Sequence, residues 1–262
     1  MNAGQYEHWM ARAFLYIEAA LATELATPSR VCMSEEYFRT ALVRGLSHSE
    51  PNEANRITTE HAASWTKNTC WHDAAHGNTG QRRPIQHDVA VTANNTDSGM
   101  VCEVKWLKQA KGKEVMQDIW KLALTRTTAS EAQATRTYLL LGGEASPFSD
   151  TFTTLHNNSF DLRWSNAGRS TGPPAARNVS LFDLYQSTTG RNALLALLSW
   201  SKHHRAPPDC WRMCRVTVRQ LWVRTLSGVG WRACLFEFTH RGTGSTSTMP
   251  WGAIQPNVVR KC

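Results

Sequence analysis

The stretch from Pro84 to Leu107 constrains this chain more than any other: PIQHDVAVT, then ANNTDSG, then MVCEVKWL. In its first part Ile85, His87, Val89 and Val91 alternate with Gln86, Asp88, Ala90 and Thr92. A period of two predicts a strand, because successive side chains there point to opposite faces. Met100, Cys102, Val104 and Trp106 alternate in the same way with Val101, Glu103, Lys105 and Leu107. Between the two runs lie Asn94, Asn95, Asp97, Ser98 and Gly99, residues that favour turns. The stretch therefore predicts a β-hairpin. Glu103 and Lys105 are two apart and project from one face, and Asp88 joins them where the register allows. Two carboxylates and an amine amid Val, Ala and Leu are costly unless they hold something.

Carboxylate oxygens in that setting suit a hard divalent cation such as Mg²⁺, which keeps waters of its own. A neighbouring lysine can orient or deprotonate a water and offset charge on a phosphate. The bland alternative is a surface hairpin with a cross-strand salt bridge. Asp88 followed by Glu103-Val104-Lys105 resembles the PD-(D/E)XK nuclease superfamily, whose motif sets an Asp at a strand start and Glu-x-Lys in the next strand. His87 stands where that family often has Pro. The resemblance covers roughly residues 34–141 and implies a restriction-endonuclease-like α/β fold, a central mixed β-sheet flanked by helices. It implies Asp88 and Glu103 as ligands of Mg²⁺, with Mn²⁺ able to substitute, and Lys105 as the catalytic lysine. It also implies a glutamate early in the helix before the first core strand; Glu35 is the first candidate and Glu36 the second. Implied too are DNA as substrate, 5′-phosphate and 3′-hydroxyl product ends, and no small-molecule cofactor.

Taken in order, the chain opens with Tyr6, Met10, Ala13, Phe14, Ile17, Leu21 and Leu25 at three- and four-residue spacing. That predicts an amphipathic helix ended before Pro28. Packing is its first reading and a homodimer contact its second. Ser34 reads as the N-cap of a second helix over Glu35–Leu46, with Tyr37, Phe38, Ala41 and Leu42 on its apolar side. Residues 56–65 read as a weak strand, in which Glu60 is a further acid. Residues 66–83 read as loop. Their His72 and His76 sit at i and i+4, but a zinc peptidase needs a helix and a Glu where Asp73 stands.

After the hairpin, Val115, Ile119, Leu122 and Ala123 predict a helix over about 108–128. Gln117 and Lys121, one turn apart, share a face and can meet a phosphate or a metal-bound water. They resemble the Gln-x-x-x-Tyr helix of the exonuclease branch, with Lys121 in place of Tyr. RTYLLL at 136–141 reads as a buried strand stopped by Gly142-Gly143, the return of a βαβ-like crossover. The remainder reads as a short helix at Phe152–Leu155, a Ser/Gly/Pro-rich loop over 165–175, and two helices within 181–200 broken at Thr188-Thr189-Gly190. A second hairpin follows, 210–225 and 231–241 about Ser227-Gly228-Val229-Gly230.

Charge divides the chain. The net +8 lies in residues 201–262, which hold 10 Lys or Arg against Asp209 and Glu237, while residues 1–200 balance at 19 of each sign. Arg212, Arg215, Arg219 and Arg224 are interleaved with Trp211, Trp222 and Trp231, a mixture that suits phosphate contacts and base stacking. The alternative is an ordinary solvated face over a tryptophan core. The extent of the resemblance suggests an N-terminal helix plus nuclease core over 1–143. It leaves a helical region with a basic Trp/Arg-rich module over 144–262, appended or packed on the core as one domain. His203, His204, Cys210 and Cys214 carry zinc-binding chemistry without the paired Cys-x-x-Cys spacing of a zinc site. No run is long and apolar enough to span a membrane, and the N-terminal MNAGQYEHWM lacks a basic signal region. Seven Cys then predict free thiols in a reducing, cytoplasmic setting. The expected function is a Mg²⁺-dependent DNA endonuclease of restriction or phage defence. A structure-selective repair nuclease and a non-catalytic nucleic-acid-binding protein are its rivals.

Overall fold

The computed structural model describes residues 3–26, 33–62, 86–92, 98–127, 136–157, 176–198, 215–226 and 231–240. In chain order they form α1 (Ala3–Ala26), α2 (Glu35–Ser49), a 3₁₀ turn (Pro51–Arg56), β1 (Ile57–Ala62), β2 (Gln86–Thr92) and β3 (Ser98–Leu107). Then come α3 (Gly112–Thr127), β4 (Arg136–Glu144), α4 (Ala145–Asn157), β5 (Ala176–Ser180), α5 (Leu181–Gln186), α6 (Thr188–Leu198), β6 (Arg215–Leu226) and β7 (Trp231–His240). His72, His76, His203, His204, Cys210, Arg212 and Cys214, and the 165–175 loop, lie outside the described residues.

The strands make one open mixed sheet in the order β1-β2-β3-β4-β7-β6-β5. Only β3 and β4 run parallel, which requires a crossover, and α3 supplies it. β1 with β2, β2 with β3, β4 with β7, β7 with β6 and β6 with β5 are antiparallel. The expected C-terminal hairpin forms as β6 and β7, and β7 pairs with β4 from Thr137↔Phe238 to Glu144↔Trp231. It thus continues the same sheet. Arg215, Arg219 and Arg224 fall on β6: Arg219 and Arg224 stand opposite Glu237 and Ala233 of β7, and Arg215 opposite Ser180 of β5.

Helices cover both faces. On one, α1 and α2 pack over Val89, Val91, Met100, Cys102, Val104, Trp106, Tyr138, Leu140 and Leu235. The α1 stripe of Tyr6, Trp9, Met10, Ala13, Phe14, Ile17 and Leu21 is buried, as its spacing predicts. Trp9 Nε1 donates to the Leu46 carbonyl at 2.7 Å, fixing α1 on α2. The helices approach so closely that a Cβ on Gly45 would stand 2.8 Å from the Ala13 carbonyl oxygen. On the other face, buried Val115, Ile119, Trp120 and Leu122 of α3 and Phe148, Phe152 and Leu155 of α4 meet the alternate residues of the strands. Phe152 lies 6.0 Å from Phe236 of β7, ring centre to ring centre. The central strand β4 is buried from Thr137 to Gly143, as a strand covered on both faces must be.

Two expectations change. The strand at 136–141 does not stop at Gly142-Gly143 but runs through them to Glu144. A Cβ on Gly142 would sit 2.6 Å from the Trp106 ring and 2.8 Å from Phe38, so the glycine makes room for those aromatics. The short helix at 152–155 is the end of a longer one, Ala145–Asn157. Among the described residues no helix is long and apolar enough to cross a membrane.

Candidate active site

The β2–β3 ladder pairs Val91 with Met100, Ala90 with Val101 and Val89 with Cys102, and ends there. One step further along that register Asp88 stands across from Glu103. Side chains take over from the ladder at this point. Asp88 Oδ2 accepts the Val104 backbone N–H at 2.7 Å, supplying the acceptor that a neighbouring strand would otherwise provide. Glu103 is fully buried, with Oε1 2.6 Å from His87 Nδ1 and Oε2 2.5 Å from Lys121 Nζ.

Two helices close the site. Ser34 caps α2 by accepting the Tyr37 N–H at 3.1 Å, and the first helical residue, Glu35, reaches Lys105 Nζ at 3.1 Å. From α3 come Asp118 and Lys121, three residues apart and therefore on one face. Lys105 Nζ lies 3.5 Å from Asp118 Oδ2, and Lys121 Nζ lies 3.1 Å from Asp118 Oδ1. Lys121 also donates to the Gln86 carbonyl at 3.4 Å.

Burial sets the electrostatics. It pushes the Asp88 carboxyl up to about 7, helped by the negative charge of Glu103 and opposed by Lys121. Glu103 is also driven up to about 7 by burial, with Lys121 pulling the other way and Asp118 adding to the rise. For both lysines burial favours the neutral amine, yet the carboxylates outweigh it. Asp118 and Glu35 raise Lys105, while Glu103 and Asp118 raise Lys121. Both are ammonium ions at neutral pH. Four carboxyl groups, from Glu35, Asp88, Glu103 and Asp118, thus gather about the two ammonium ions of Lys105 and Lys121. Carboxylate oxygens are also the donors that Mg²⁺ takes. Among the described residues, no group of three His, Cys, Asp or Glu forms a ready metal cage. His87 and Lys121 already engage the two Glu103 oxygens.

Five residues singled out in the sequence come together: Asp88, Glu103, Lys105, Glu35 and Lys121. Lys121, expected on a phosphate-contacting face, is instead turned inward onto two carboxylates. Glu36 does not join them; its side chain is 68% exposed and bonds Arg39. Gln117 is half-buried on α3 and makes none of these contacts. Glu60 is exposed and faces Arg39 at 3.6 Å. Sequence reasoning missed His87 and Asp118. In the sequence His87 reads as a member of the alternating run and as the residue at the family's Pro position, not as a partner of Glu103. Asp118 could have been found, because it lies three after Val115 and four before Leu122, inside the stripe that packs.

Scans against protein-family models, curated proteins and solved structures return no match to this chain. The reading of the site therefore rests on its chemistry.

Proposed function

We propose that the protein is a divalent-metal-dependent endonuclease hydrolysing DNA phosphodiester bonds, built on a restriction-endonuclease-like core and acting in restriction or phage defence. One observation carries the reading: Asp88, Glu103 and Lys105 meet where β2 and β3 cease to pair, with Glu35 from the preceding helix beside them. The order of helix, three antiparallel strands, helix and parallel strand is the one that the PD-(D/E)XK resemblance requires.

Asp88 and Glu103 are the residues that would hold Mg²⁺, which supplies Lewis-acid stabilisation of charge and a more acidic water. The chain's own groups do the rest. The Lys105 ammonium, anchored by Glu35 and Asp118, offers N–H donors to a phosphate oxygen and orients the attacking water. Held as an ammonium, it stabilises charge rather than taking a proton. Water attacks phosphorus in line and releases a proton to solvent, the P–O3′ bond breaks, and the leaving oxygen takes a proton from solvent.

The test is cleavage of plasmid and linear DNA in Mg²⁺ or Mn²⁺, wild type beside Asp88→Ala and Lys105→Ala. Loss of one positioned stabilising group lowers such rates by roughly 10²–10³-fold, so both variants should bind DNA and cut at or below that level. A wild type that binds but never cuts DNA or RNA would instead support a nucleic-acid-binding protein. The concentration of 10 basic residues in 201–262 favours that second reading.

A further inference from the structure

Lys121 is enclosed more completely than a substrate contact needs. Its ammonium meets oxygens from three elements: Glu103 Oε2 of β3 at 2.5 Å, Asp118 Oδ1 of α3 at 3.1 Å and the Gln86 carbonyl of β2 at 3.4 Å. Two carboxylates and a carbonyl converging on one point are the oxygen donors that a hard cation takes. Asp118 adds an independent observation. It is only 4% exposed, and its Oδ2 accepts no hydrogen bond while facing Lys105 Nζ at 3.5 Å. The carboxylate is thus buried between two ammonium ions, one at each oxygen.

We infer that Lys121 is a tethered cation: its ammonium fills a cation position made by Glu103, Asp118 and the Gln86 carbonyl, so the site takes one divalent ion rather than two. The inference rests on the metal-dependent reading above and says how many ions that site holds. Geometry supports it. Lys121 sits on the far oxygen of Glu103 from His87, holding that carboxylate in place before any metal arrives. A charge carried on the chain is present at every Mg²⁺ concentration, so cleavage should depend on the first power of free Mg²⁺.

The experiment is Mn²⁺ stoichiometry on the full chain, by equilibrium dialysis with electron paramagnetic resonance of free Mn²⁺. Wild type, Lys121→Arg and Lys121→Ala are compared. The expected result is one ion per chain for wild type and Lys121→Arg, and two for Lys121→Ala, whose three oxygens have lost their cation. Should Lys121→Ala fail to fold, the double variant Lys121→Ala/Asp118→Asn keeps three oxygens without the ammonium, and is likewise expected to bind two. Two ions in wild type, or one in every variant, would overturn the inference while leaving the metal-dependent site standing. No Mn²⁺ bound by any of the proteins would overturn both.

Discussion

Burying Glu103 and Asp88 costs the fold stability that pH makes visible. Their folded carboxyls stand at about 7, against ordinary values of 4.5 and 3.8, so the folded chain holds protons that the unfolded chain has released. Where the folded state binds more protons, stability falls as pH rises. For these two groups that window runs from about pH 4 to about pH 7. Metal-free protein should therefore melt at a lower temperature at pH 8 than at pH 5.5. About 1 kcal/mol moves the midpoint of a domain this size by roughly 2–4 °C, so a drop of several degrees is expected, and Mn²⁺ at pH 8 should reverse it. Glu103→Gln keeps the shape and removes the ionisation, and should flatten the profile. A profile just as steep in Glu103→Gln would refute the assignment. At this scale Asp88, Glu103 and Lys105 were legible because a period of two fixes which residues share a face. His87 was not, because it sits in an apolar repeat that local pattern reads as core, whereas a charged Asp118 inside the packing stripe of α3 is a signal the sequence does carry.

Elements deliver these side chains, and small residues decide how well. Ser34 accepts the Tyr37 N–H and so fixes the first turn of α2, the turn that carries Glu35. Ser34→Ala should cost about 1 kcal/mol, typical for a lost N-cap, and loosen the hold of Glu35 on Lys105. Chemical denaturation measures the first effect; a lower cleavage rate with unchanged DNA affinity would report the second. Gly142 has a different job. Phe38 of α2 and Trp106 of β3 meet edge to face at 5.1 Å across the space that its missing side chain leaves. Gly142→Ala should destabilise by about 1–3 kcal/mol, the range for overpacking a core; an unchanged denaturation midpoint would contradict that packing. The amphipathic spacing of α1 and the Ser34 cap announced their helices in the sequence. The Gly142-Gly143 pair read as a strand end because a glycine's packing role depends on aromatics distant in the chain, which no local window contains.

Across the whole molecule, the resemblance at 34–141 and the organisation of the sheet do not share a boundary. The resemblance ends at residue 141 and the net charge gathers beyond residue 200, which together suggest two regions divided near residue 144. Strand pairing ignores that break: β4 lies between β3 and β7, so its second hydrogen-bonded edge is supplied from beyond residue 230. The same holds for α3, which carries Asp118 and Lys121. Trp120 Nε1 donates to the Gly190 carbonyl at 2.9 Å, tying that helix to α6. A chain ending at residue 143 keeps Asp88, Glu103, Lys105 and Glu35, yet exposes one edge of β4 and frees the outer side of α3. It should show no cooperative thermal transition, digest rapidly under limited proteolysis and cut no DNA. The gentler variant Trp120→Phe, which keeps most of the ring and loses the bond, should cost about 1 kcal/mol, the net worth of a typical hydrogen bond, and lower cleavage by disturbing Asp118, two residues before it, and Lys121, the residue after it. A 1–143 fragment that melts cooperatively and cleaves would instead make the first region a domain in its own right, with the β6–β7 hairpin serving the sheet without being needed by the site.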